Sequence, residues 1–125
     1  MRKIRYGFSL IELMVVMTII AILVTIALPR YRGSVDNAKL VALKSNLHAM
    51  REAIDRYHDD KAHFPASLQA LVDEHYLKGL PVDPVTESAQ TWTPTEATED
   101  DAGGVSDVHS GAKGQTAQGD VYAEL

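Results

Sequence analysis

Residues 8–28, FSLIELMVVMTIIAILVTIAL, form a long apolar run in which Glu12 is the only charged residue. As an α-helix, these 21 residues extend about 31 Å at roughly 1.5 Å per residue, which matches the roughly 30 Å hydrocarbon core of a bilayer. An ordinary secretory signal has a shorter apolar core of about 7 to 15 residues and a small-residue cleavage site. The pattern therefore predicts a membrane-spanning helix.

A second apolar pattern follows Pro29, with spacings of three and four that predict an amphipathic helix. Pro29 and Gly33 predict a kink or a locally melted stretch between the two helical halves, because proline lacks a backbone donor. A coiled-coil seam is the alternative, but the stripe lasts only about three heptads and lacks alternating flanking charges. We favour packing of the stripe against a small sheet. The stripe consists of Leu40, Leu43, Leu47, Met50, Ile54 and Tyr57.

Shorter patterns fill the rest of the chain. Pro65 and the apolar residues after it predict a second short helix that ends near Gly79. Strand patterns occur at residues 90–95, 105–110 and 119–125. Together these elements predict an α+β fold, in which a long N-terminal helix, transmembrane in its first half and amphipathic in its second, packs on a small three-stranded antiparallel sheet.

Composition and charge narrow the function of these 125 residues. The chain has no cysteine, which excludes a disulfide framework, a thiol nucleophile and cysteine-ligated metal centres. Arg2, Lys3 and Arg5 precede the apolar run, whereas nine basic and 16 acidic residues follow from Arg30 onward. This acidic balance argues against a nucleic-acid partner, because phosphate contacts need clustered basic residues. The positive-inside rule predicts a cytoplasmic N-terminus and a C-terminal domain across the membrane.

Glu12 is the residue that the apolar run does not explain. A carboxylate at membrane depth costs about 3 kcal/mol on insertion scales, so such a side chain is usually paired, functional or close to the interface. Escape to the headgroups is one interpretation, because Glu12 follows Phe8 by only four residues. Pairing with a cation is the other. A cut between Gly7 and Phe8 would create an α-amine that is charged near neutral pH, and this amine could neutralise Glu12 of another chain.

The segment KIRYGFSLIEL resembles the class III leader of type IV prepilins and type II secretion pseudopilins. It has a short basic leader, Gly7 before the cut, Phe8 after it and Glu12 at the fifth mature position. The resemblance implies cleavage after Gly7 by a prepilin peptidase, N-methylation of Phe8, and pairing of Glu12 with a neighbouring N-terminus during assembly. Three segments are implied: a cleaved leader (1–7), a transmembrane and filament-core helix (8–29), and a periplasmic pilin-like domain with the second half of the long helix (30–125).

Residues 64–84 and the tail VSDVHSGAKGQTAQGDVYAEL resemble the major pseudopilin, the G-type subunit of type II secretion systems. The family usually continues with Trp-Gly, whereas residues 85–88 here are Val-Thr-Glu-Ser and the only Trp is Trp92. Major pseudopilins often hold calcium in the loop before the last strand, and Asp107 and Asp120 are the available carboxylates. Because calcium takes about six to eight oxygens, we favour solvated loop acids over a calcium site and expect no required cofactor.

The resemblance implies a structural subunit of the type II secretion pseudopilus, which polymerises from the inner membrane to drive export of folded proteins. A type IV pilin or minor pilin for adhesion, motility or DNA uptake is the alternative. The implied partners are other copies of the chain, other pseudopilins, the prepilin peptidase, the inner-membrane assembly platform with its ATPase, and membrane lipid before assembly.

An enzyme is the third hypothesis, but Asp107, His109 and Ser110 alternate between the faces of a strand and cannot form a triad among themselves. We therefore predict no catalytic activity.

Overall fold

The computed structural model describes residues 7–98 and 103–125. The chain divides into two units, one that ends at Val35 and one that covers Asp36–Leu125. Apart from Gly7, the predicted leader lies outside the described residues. The described elements are helix α1 (Leu10–Lys61), helix α2 (Leu68–Asp73), strand β1 (Thr93–Glu96), strand β2 (Val105–His109) and a 3-10 helix (Tyr122–Glu124).

Helix α1 continues from Leu10 to Lys61, with Pro29 inside it. The predicted helix on each side of Pro29 is therefore confirmed, and the alternative of a locally melted stretch near Gly33 is wrong. The physical reason is that a proline removes one backbone donor, while the helical hydrogen bonds before and after it are still made.

The second unit builds its core on one face of helix α1. All residues of the predicted stripe are buried, and Leu43, Met50 and Ile54 have no exposed surface. Removing apolar surface from water is the main favourable contribution to folding, so this face holds the second unit together. The buried side chains that join the stripe from the rest of the chain include Leu68, Leu71, Trp92, Val105 and Val108.

Helix α2 is shorter than the sequence predicts. It begins at Leu68 instead of Pro65, because the Ser67 hydroxyl acts as its N-cap and accepts a hydrogen bond from a first-turn amide at 3.3 Å. It ends at Asp73 rather than near Gly79, since the residue at position 75 adopts a left-handed φ of 65° that reverses the chain. The proline and glycine signals therefore mark the flanking loops.

Strands β1 and β2 pair antiparallel, with Thr93 opposite His109 and Glu96 opposite Val105. The first strand begins three residues later than predicted, and its four side chains are exposed. The second strand coincides with the predicted one except for its last residue, and it contributes Val105 and Val108 to the core. The sheet thus covers one side of the helix stripe through β2.

The predicted third strand at residues 119–125 is wrong. In residues 7–98 and 103–125 the sheet has two strands, and the final segment forms a 3-10 helix after an isolated bridge. The chain turns on itself because the Thr116 hydroxyl accepts hydrogen bonds from the amides two and four residues later, at 3.3 and 3.1 Å. Gly119, with φ of 95°, allows this turn. The fold is α+β, as predicted, with a smaller sheet.

Candidate functional site

The start of helix α1 is fixed by a side-chain cap. The Ser9 hydroxyl accepts a hydrogen bond from the Glu12 amide at 3.1 Å, and the Ser9 carbonyl accepts one from the Leu13 amide at 3.1 Å. Ser9 and Glu12 have the Ser-x-x-Glu spacing of a capping box, in which the hydroxyl satisfies a first-turn amide that has no helical partner. Our sequence analysis missed this role of Ser9, although the spacing was visible in the sequence.

Glu12 lies in the first turn of helix α1, and its side chain is exposed. The N-terminal turn carries a partial positive charge from the aligned peptide dipoles, which favours an acidic side chain there. The local structure thus favours an acidic side chain at this position. It leaves the carboxylate on the outer surface of the first unit, where a group from another molecule can reach it.

The two threonines in the apolar run satisfy their hydroxyls within the helix. Thr18 donates to the Met14 carbonyl and Thr25 donates to the Ala21 carbonyl, each at 2.8 Å. An unpaired hydroxyl is unfavourable in hydrocarbon, so these bonds make the helix compatible with a lipid environment.

The apolar side chains of residues 8–28 are exposed in the first unit. The most apolar 18-residue window of helix α1 has a mean hydropathy of 2.7, and none of it is buried. By length and composition, this helix can cross a membrane. An apolar surface of this extent requires lipid or protein to cover it.

The predicted cleavage position lies just before helix α1. Gly7 is outside any helix or strand, and a Cβ atom built at this position would meet nothing within 4 Å. Phe8 is also outside the helix, and its residue surface is 82% exposed. Among the described residues, none therefore shields the peptide bond between Gly7 and Phe8.

The two acids considered for calcium, Asp107 and Asp120, lie in different surroundings. The Asp107 Oδ1 atom accepts hydrogen bonds from Arg51 Nε at 2.7 Å and from the Val108 amide at 2.8 Å. Asp120 is exposed in the turn that the Thr116 hydroxyl closes. In the described parts of the chain, no group of three or more His, Asp or Glu residues could hold a metal ion. Calcium needs about six to eight oxygens, several of them charged.

The residues of the enzyme hypothesis are also not assembled into a triad. Ser110 is buried, and its hydroxyl donates to the Asp83 carboxylate at 2.5 Å rather than to His109. His109 Nδ1 lies 3.0 Å from the Leu125 backbone oxygen. The sequence patterns did not single out Asp83, whose carboxylate is buried. Its position before Pro84 is a signal for such an Asp-centred turn.

Comparison with known proteins shows which family and which relatives the chain resembles. The family described as the prokaryotic N-terminal methylation motif matches residues 2–28. The type II secretion system core protein G of Pseudomonas aeruginosa is 35% identical over 99 residues, 66% of this chain and 70% of the relative. Its namesake from Escherichia coli is 33% identical over 94 residues, 62% of this chain and 65% of the relative.

A relative with a different name is also similar. The fimbrial protein EcpC of Eikenella corrodens is 34% identical over 89 residues, 71% of this chain and 58% of the relative. No solved structure matches the chain. The extent of the similarity to core protein G, together with the methylation motif and the exposed apolar helix, shows that this chain belongs to the type IV pilin-like family of type II secretion core G proteins, the major pseudopilins.

Proposed function

We propose that this protein polymerises from the bacterial inner membrane into the pseudopilus of a type II secretion system and that it acts by assembly. The observation that carries the proposal is the exposed apolar start of helix α1 with its single acid, Glu12, in a member of the core G family. Such a helix is stable in lipid, and packing against other copies would also remove the same surface from water.

Processing comes first in this proposal. The basic leader, with Arg2, Lys3 and Arg5, keeps the N-terminus in the cytoplasm and directs the C-terminal unit to the periplasm. A prepilin peptidase then cuts between Gly7 and Phe8 and methylates the new Phe8 amine. The match of residues 2–28 to the methylation motif and the exposure of Phe8 support this step.

Pairing of Glu12 with the Phe8 amine of a neighbouring copy would set the stagger of the polymer. The two residues are four positions apart, which is about 6 Å in a filament where the helix extends back to Phe8. A copy displaced by about one turn therefore brings its amine level with the carboxylate of its neighbour. Since an unpaired carboxylate at membrane depth costs about 3 kcal/mol, the pair favours this register over others.

Energy for extraction must come from partners. The sequence contains no G-x-x-x-x-G-K phosphate-binding motif, and we assign this role to the assembly ATPase and its inner-membrane platform. Other pseudopilins would join the same filament, whose growth would push folded proteins towards an outer-membrane channel.

A type IV pilus is the second candidate function, and the similarity to the fimbrial protein EcpC favours keeping it. The two are separated by deleting the gene from its host and measuring both export of folded proteins and twitching motility. The proposed function requires loss of export with motility retained. Loss of motility with normal export would reject the pseudopilus function in favour of a pilus.

Mass spectrometry of the mature protein provides a direct test of processing. We expect an N-terminus at methylated Phe8. An N-terminus at Met1 or at Leu28 would reject the assigned processing, and a host strain without the prepilin peptidase is the matched control, which should yield the uncut chain.

A further inference from the structure

Three distant parts of the second unit meet at one guanidinium group. Arg51, on helix α1, donates through Nε to the Asp107 carboxylate of strand β2 at 2.7 Å. Its Nη2 atom donates to the Val108 carbonyl at 2.8 Å and to the Leu125 backbone oxygen at 2.5 Å. The fork geometry of a guanidinium permits several simultaneous hydrogen bonds in fixed directions. Arg51 therefore ties the helix to the strand and to the final segment.

The oxygens that Arg51 contacts directly, Asp107 Oδ1 and the backbone oxygens of Val108 and Leu125, accept hydrogen bonds from it. Asp107 Oδ1 also accepts from the Val108 amide at 2.8 Å, and Asp107 Oδ2 lies 3.5 Å from His109 Nε2. His109 Nδ1 lies 3.0 Å from the Leu125 oxygen and 3.5 Å from Arg51 Nη2. A divalent cation at Asp107 Oδ1 would have to displace the guanidinium that this oxygen already binds.

The loop between strand β2 and the 3-10 helix is closed by neutral groups. From residue 111 to residue 119 its only charged residue is Lys113, a cation. At one end the Ser110 hydroxyl accepts from the Ala112 amide at 3.1 Å, and at the other the Thr116 hydroxyl accepts from the Asp120 amide at 3.1 Å. These two hydroxyls close the loop, and the Ser110 hydroxyl is itself held by the Asp83 carboxylate, which lies outside the loop.

We propose that Arg51 is the built-in cation of the second unit and that this unit folds without calcium. The guanidinium neutralises Asp107 and fastens the final segment, while the Thr116 hydroxyl closes the turn before it. The calcium that the family resemblance implies is therefore replaced by a charge of the chain itself. The inference does not depend on whether the polymer is a pseudopilus or a pilus.

Thermal unfolding of the processed full chain in detergent, followed by the fluorescence of its single tryptophan, tests this proposal. Trp92 is buried and its Nε1 donates to the Pro81 carbonyl at 2.8 Å, so its emission reports on the second unit. The protein is measured with EGTA and with calcium at about 5 mM, above the roughly 10⁻⁴ to 10⁻³ M dissociation constants of extracellular calcium modules.

We expect the Tm of the wild-type chain to differ by less than about 1 °C between calcium and EGTA. A resident calcium site of the affinity above would raise Tm by at least about 4 °C. Such a rise, abolished in Asp120→Asn, would overturn the proposal. This comparison needs no variant of Arg51 and remains decisive even if such a variant fails to fold.

Arg51→Gln tests the role of the guanidinium itself. We expect its Tm to fall by about 4 to 8 °C with no recovery in calcium. Arg56→Gln is the matched control, because Arg56 lies on the same helix in an exposed pair with Glu52 at 3.1 Å, and we expect a change below about 2 °C. Equal Tm values for the two variants would show that Arg51 does not fasten the unit, and recovery of Arg51→Gln in calcium would show that a divalent cation can occupy the site.

Discussion

In the first unit, the large apolar side chains of residues 8–28 are 42% exposed at Val16 and up to 82% exposed at Phe8, whereas Leu43 and Met50 in the second unit have no exposed surface. Apart from the residues before Leu10, both sets lie on the same helix, α1. The difference shows that one stretch completes its packing within the chain and the other depends on surroundings outside it. Stability of the second unit and assembly through the first should therefore respond to different substitutions.

Substitution of Glu12 should give the largest difference between the effect on assembly and the effect on the stability of the second unit. We expect Glu12→Gln and Glu12→Ala to be inserted and processed but to lose at least about tenfold in filament yield and export, since loss of a buried charge pair is worth more than about 1.4 kcal/mol. Glu12→Ala should also be retained more readily in the membrane, because its apolar run has no charge. The measurements are filament yield after shearing, secreted protein and the Tm of the second unit, which should not change.

Ser9→Ala is the matched control for that experiment. It removes the hydroxyl that caps helix α1, at about 1 kcal/mol of helix stability, and keeps the carboxylate. We expect near-normal assembly from this variant. If Ser9→Ala lost assembly as fully as Glu12→Gln, the role of Glu12 would be to start its own helix rather than to pair with a neighbour.

A large-to-small substitution should lower the free energy of unfolding in the second unit and leave it almost unchanged in the first. Leu43→Ala removes a side chain with no exposed surface, and we expect the free energy of unfolding to fall by about 2 to 5 kcal/mol. Leu23→Ala, at a position that is 60% exposed, should change it by less than about 0.5 kcal/mol. Denaturation in urea, followed by Trp92 fluorescence, measures both. Similar losses from the two variants would contradict the separation of the units.

The buried carboxylate of Asp83 should show how far the second unit depends on polar contacts. Asp83→Ala frees the Ser110 hydroxyl and the amides of Val85 and Thr86, and we expect a loss of about 1 to 3 kcal/mol or more. Ser110→Ala removes one of these donors and should cost less. Because both residues belong to one network, the double variant should lose less than the sum of the single losses. Strict additivity in urea denaturation would show that the two side chains act independently.

The smallest expected effect concerns Tyr76. Its hydroxyl donates to the Asp60 carboxylate at 2.8 Å, and this hydrogen bond, followed by partial burial, raises the pKa of Tyr76 from 10.0 to about 12. Because the folded pKa lies above the unfolded one, the contribution to stability is present below pH 10 and is lost as the pH rises towards 12. Absorbance titration should show one late phenol among five tyrosines, absent in Tyr76→Phe. Identical late titration in both proteins would place that phenol elsewhere.

Local patterns in the sequence were sufficient to predict helix α1 and the residues of its stripe that are buried, because helical spacing directly determines which side chains share a face. They were also sufficient for strand β2. The prediction of a third strand was wrong. Val121 and Tyr122 are residue types that favour a strand, but the hydroxyl of Thr116 and the left-handed Gly119 fold the segment back. Intrinsic strand preference is weak and gives way to such contacts.

The candidate site divides in the same way. Gly7, Phe8 and Glu12 could be chosen from their spacing, and their assigned roles stay predictions. Arg51 and Asp107 could not be paired from the sequence, because 56 residues separate them and only the fold brings them to 2.7 Å. The family resemblance raised calcium at Asp107, and the sequence does not show that Arg51 lies against this carboxylate.

The hydrogen bonds of Thr18 and Thr25 have a consequence for movement of the helix. Each hydroxyl is bound to a carbonyl of its own helix, so neither has to exchange partners when its surroundings change from acyl chains to the side chains of sister subunits. In the proposed assembly, these two hydroxyls therefore add no polar penalty when the helix leaves lipid for the filament.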